Sequence, residues 1–131
     1  FFRASQAARV AMNQMLMQLR RSDVIDVPIS NPANRIAFVG DDKVDRSFVY
    51  APDATGQKGT LTMLIDNGMS MPISAVLARD VKVSFSVDTV HPETGSGDYV
   101  DRVSIDMTVE VGKSVVHLAG SAAPRRVQTF N

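Results

Sequence analysis

Two stretches of this chain, Asp80 to Asp88 and Arg102 to Val111, alternate apolar and polar residues with a period of two. In the first, Val81, Val83, Phe85 and Val87 share one face, against Lys82, Ser84 and Ser86 on the other. In the second, Val103, Ile105, Met107, Val109 and Val111 line up in the same way. Successive side chains of a strand point to opposite faces, so both stretches describe strands with one buried and one wet face. A wet face argues against an all-parallel sheet covered by helices on both sides and calls for antiparallel pairing.

Shorter strands are expected around these two. Arg35 to Val39 precedes the polar turn Gly40, Asp41, Asp42, and Arg46 to Ala51 ends at Pro52 and Asp53. Gly59 to Asp66 is closed by Asn67-Gly68, a strong hairpin signal, across which Met69 to Ile73 would pair back. Pro72 lacks a backbone donor and would confine that stretch to an edge. Gly112-Lys113 suits a two-residue turn into Ser114 to Ala119. His91 to Asp101, with Pro92, Gly95, Ser96 and Gly97, reads as a loop.

Residues 1–25 have a different period. At 100° per residue Ala4, Ala8, Ala11, Met12, Met15, Leu16 and Leu19 form one apolar stripe, which should pack on the strands. Arg20 and Arg21 suit a helix C-terminus, where the backbone dipole favours cations. Val10 and Met17 fall on the opposite side, among Gln6, Gln14 and Arg21. They fit contact with a partner, and they equally fit the ordinary scatter of exposed apolar residues. The helix opens on Phe1, Phe2 and Arg3 with no capping residue, a pattern expected where an apolar segment leaves a membrane. Together these elements predict an α+β fold in which a long N-terminal amphipathic helix packs on an antiparallel β-sheet, within one domain spanning residues 1–131.

The chemistry-bearing residues are sparse. Lys plus Arg equals Asp plus Glu, 14 each, which disfavours nucleic acid as a partner. The absence of cysteine removes disulfide frameworks, thiolate zinc sites and cysteine nucleophiles. His91 and His117 stand near no catalytic motif, and Gly95 to Gly97 lacks the lysine and the strand-loop-helix setting of a phosphate loop. Two acidic groups have a composition that calcium uses: Asp41, Asp42 and Asp45 in one turn, and Asp88, Glu93, Asp98 and Asp101 beside the longest loop. Neither has EF-hand spacing, and we read both as solvated carboxylates, with an ion at the second group as the alternative. No catalytic residue, metal or cofactor is expected.

The ordering of these segments carries a resemblance. Ala4 to Ile25, Phe48 to Pro52, Gly59 to Leu61, Leu77 to Val81, Val83 to Ser86 and the ending Gly120 to Arg126 resemble segments of type IV pilin-like proteins, in particular the J-type minor pseudopilins of type II secretion and related minor pilins. The prepilin-peptidase site of that family is absent, which the resemblance explains by a missing N-terminal membrane segment. It implies a structural subunit without catalytic activity, acting in assembly initiation or at a filament tip. Its partners would be other pilin or pseudopilin subunits, the inner-membrane assembly machinery and an exported protein substrate. It would be anchored in the inner membrane with its soluble domain in the periplasm, and Val10, Met17, Gln6 and Arg21 would face neighbouring subunits. The alternative is an independent extracytoplasmic ligand-binding β domain, with His91 to Asp101 as the rim of its pocket.

Overall fold

The computed structural model describes residues 2–28, 30, 33–54, 58–66, 73–90, 99–111 and 113–124. One helix, α1 (Phe2–Arg20), is followed by seven strands. These are β1 (Val24–Ile25), β2 (Arg35–Val39), β3 (Asp45–Pro52), β4 (Gly59–Asp66), β5 (Ile73–Val90), β6 (Tyr99–Val111) and β7 (Ser114–Ala122). They form a single sheet in sequence order, with every neighbouring pair antiparallel.

The expected α+β fold built around a long N-terminal helix is therefore corrected. The molecule is mostly antiparallel sheet: seven strands, β5 of 18 residues and β6 of 13 among them, stand against one helix of 19 residues that stops short of the expected end at Ile25. The helix stops at Arg20 because the chain beyond it is taken up by the sheet. The Arg21 amide bonds to the Met17 and Gln18 carbonyls and the Ser22 amide to Leu19, a tightened last turn, while the buried Ser22 hydroxyl donates to the Leu19 carbonyl at 2.5 Å. The Asp23 amide then bonds to the Val39 carbonyl at 2.8 Å, so Val24 and Ile25 are strand and not helix. Apolar periodicity does not register this competition.

The alternating stretches lie where their pattern puts them. Val81, Val83, Phe85 and Val87 are buried, and so are Val103, Ile105, Met107 and Val109 across the β5–β6 ladder. Ala8, Ala11, Met12, Met15, Leu16 and Leu19 are buried too, as α1 packs on β5, β6 and β7. Ala4 and Val111, as side chains, lie outside the described residues. Gly120 lets the helix approach β7 closely: a Cβ there would stand 2.7 Å from Leu16 Cδ1. Phe38 and Phe48, also in the core, meet with their rings tilted by 36° and centroids 5.1 Å apart.

β5 is the joint of the fold. It runs as one strand through Leu77 to Asp80, where separate segments were expected, and turns at Asp80, whose φ of 57° is unusual for a residue with a side chain. Register shifts against β4 lie between Gly59 and Thr60 and between Leu61 and Thr62. Residues 73–81 of β5 pair with β4, and 81–90 pair with β6. Ala33, just before β2, bonds to Phe85 in both directions at 2.7 and 2.9 Å, which brings the start of β2 back onto the second half of β5. The bulges supply the bend that makes this return possible. Tyr99 to Asp101, expected in a loop, begin β6. The Asn67-Gly68 turn, Met69 to Pro72, His91 to Asp98 and Gly112 lie outside the described residues.

Candidate functional site

The outward face of α1 is the first candidate surface. The described residues of the apolar stripe, Ala8 to Leu19, are almost fully buried, whereas Val10 is 65% exposed and Met17 48% exposed. Gln6 and Arg21 are exposed as well. A rise of about 1.5 Å per residue sets Val10 and Met17 about 10 Å apart along the axis, on the side turned away from the sheet. The structure thus brings all four residues to one side of the helix and its end. Such a strip has no acid, base or nucleophile in reach of another, and its capacity is contact.

A second candidate is a cleft on the wet face of the sheet. Alternation in β2, β3 and β4 sends Phe38, Phe48 and Met63 into the core and turns Ala37, Ser47 and Leu64 the other way. The ladder places these last three side by side, and one step along sets Val39, Asp45 and Asp66 in a row. Asp26, whose amide bonds to the Ala37 carbonyl, Arg35, Phe38 and Arg46 complete the lining of a cleft of about 290 Å³. Its floor contains Ser47, which is only 4% exposed. Asp45 and Asp66 stand opposite one another at this end of the cleft, which Arg46 also lines. The sequence could not reveal it, because its residues come from three strands and the segment after β1 and meet only through register.

The turn beside the cleft is built on charge. The Arg46 guanidinium donates to both oxygens of Asp42, at 2.8 and 2.7 Å, and the Val44 amide donates to the same carboxylate at 3.1 Å. The bond from Arg46, more than any other contact, lowers the Asp42 pKa to about 2. Lys43, with φ at 66°, pairs with Asp23 and ties the turn to the end of the helix. The first acidic group of the sequence is therefore a turn device in which Asp42 holds Arg46.

Of the second acidic group, Glu93 and Asp98 lie outside the described residues. Asp88 and Asp101 are on β5 and β6, with Asp88 opposite Arg102. Among the described residues no three acidic or histidine side chains converge as metal ligands. His117 lies 3.4 Å from Asp106 across the β6–β7 ladder, and both are exposed. His91 lies outside the described residues. Sequence reasoning also missed Tyr50, whose buried hydroxyl has no hydrogen-bond partner among the described residues. Burial, then the charge of Asp53, raises its pKa.

Among the described residues no helix is long and apolar enough to cross a membrane. No family model matches the chain, and no curated protein or solved structure does either.

Proposed function

We propose that this chain is a structural subunit of a cell-envelope filament, a minor pseudopilin of type II secretion or a related minor pilin, acting in assembly initiation or at the tip. The observation that carries this reading is the two-sidedness of α1. One face is buried against the sheet, and the other holds Val10 and Met17 exposed. A helix with an apolar contact left on its outer side suits lateral packing against the helices of other subunits. The reading rests on that face and on the residue resemblance, and asks nothing of helix length. It makes the chain's work the burial of surface between subunits, with no covalent chemistry. It places the protein in the envelope, with an inner-membrane anchor supplied upstream of Phe1.

The test is Val10→Asp and Met17→Asp in cells that depend on the filament. Loss of assembly or secretion, with the melting temperature of the purified chain nearly unchanged, supports the proposal. Full assembly with both substitutions present overturns it. An upstream gene sequence lacking an apolar run of about twenty residues would also count against it.

A second reading, an independent ligand-binding β domain, is favoured by the cleft between Asp26, Arg35, Asp45 and Asp66. Tyr99 to Asp101, the described part of the rim expected at His91 to Asp101, do not line that cleft. Gene deletion that leaves filaments and secretion intact would favour this reading over the first.

A further inference from the structure

The strand β7 ends the sheet, and among the described residues nothing pairs along its second side. It is nine residues long, Ser114 to Ala122, and pairs with β6 without a register shift. It contains no lysine, arginine, acidic residue or proline. Proteins ordinarily blunt such an edge with charge, proline, a bulge or brevity. The opposite edge uses brevity, since β1 has two residues. β7 uses none of these means, and α1 packs against one of its faces.

We propose that two copies of this chain pair edge to edge through β7, antiparallel and centred on Leu118, so that two seven-stranded sheets become one. The occupant is argued from the strand itself. A head-to-tail contact would have to use the two-residue β1, so the long edge of one copy is matched in length by the long edge of another. In the full-length register Ser114 meets Ala122 of the second copy, Val115 meets Ser121, Val116 meets Gly120, His117 meets Ala119, and Leu118 meets itself. Each pair keeps to one face of the joined sheet, and no like charges are set opposite one another.

Space for the helices is sufficient. Strands lie about 4.8 Å apart, so a helix seated over β6, the middle of the three strands it packs on, is about 7 Å from the dyad and about 14 Å from its mate. Close-packed helices need only about 8–10 Å. A two-fold contact of this kind closes on itself and does not propagate.

The absence of cysteine gives a clean experiment with the full chain. Directly opposed residues of an antiparallel pair have Cα atoms about 4.5 or 5.5 Å apart, within the span of a disulfide. Leu118→Cys should therefore form a disulfide-linked dimer with oxidised glutathione, roughly tenfold or more faster than Val115→Cys, whose two copies would stand about 20 Å apart. Sedimentation velocity should show a reversible dimer of the unaltered chain. Val115→Lys with Ser121→Lys, both at exposed positions, should return it to monomer, while Val115→Lys with Ser121→Asp should restore the dimer. A monomer at every concentration, or equal cross-linking at the two sites, overturns the proposal. Dimerisation that appears only after removal of residues 125–131 would give the edge to the chain's own C-terminal segment, and overturns it as well.

Discussion

Two alanine substitutions on the same helix should behave in opposite ways. Leu19 is fully buried, and its truncation removes three carbons from a packed site. Core Leu→Ala changes cost about 2–5 kcal/mol, transfer and cavity together. Val10 is 65% exposed, so only about a third of the transfer value of its two lost methyl groups, near 0.8 kcal/mol each, is at stake, or roughly 0.5 kcal/mol. Alanine's better helix propensity returns about the same amount. Val10→Ala should therefore leave stability within about 0.5 kcal/mol of the parent, while Leu19→Ala should lower the melting temperature by roughly 10 °C. Urea titration of the three proteins with a common m-value provides the assay. A loss above about 2 kcal/mol for Val10→Ala would place that residue in the core and remove the basis of the filament reading. A loss below about 1 kcal/mol for Leu19→Ala would mean that the helix stripe does not stabilise the sheet.

Other outcomes follow from single contacts. The Asp42 carboxyl is lowered to about 2 from an ordinary 3.8, so its contribution is present above the unfolded value and lost as pH falls through the folded one. Asp42→Asn should reduce the urea midpoint at neutral pH, and the difference from the parent should close as pH falls from about 4 towards 2; a constant gap would refute it. Tyr50→Phe removes a buried hydroxyl that has no partner among the described residues and should stabilise the fold by about 1 kcal/mol, whereas a loss of that size would mean that the hydroxyl is hydrogen-bonded. Gly59→Ala would drive a Cβ to 2.2 Å from the Ala51 carbonyl, a backbone atom, whereas Gly120→Ala meets the movable methyl of Leu16. Overpacking costs typically about 1–3 kcal/mol, so Gly59→Ala should reach or exceed the upper end and Gly120→Ala stay near the lower, with equal melting curves counting against this account.

What the sequence determined by itself is the set of faces. Period-two alternation names Val81, Val83, Phe85 and Val87 as inward and the serines between them as outward. The 100° stripe does the same for Met15 and Leu19 against Val10 and Met17. Each assignment needs only the geometry of a few consecutive residues, and in each case the exposures agree. The tertiary structure decided what those faces meet. Ending the helix at Arg20, and so making the molecule mostly sheet, depended on the Asp23 amide finding the Val39 carbonyl. The running together of Ile73 to Val90 depended on a positive φ at Asp80 and on two bulges against β4. The row of Asp45 and Asp66 beside Ser47 exists only in one register of β3 and β4, and the open side of β7 exists only because no later strand lies beside it among the described residues. Pairing partner and register are set by contacts between residues far apart in the chain, and local periodicity carries no term for them.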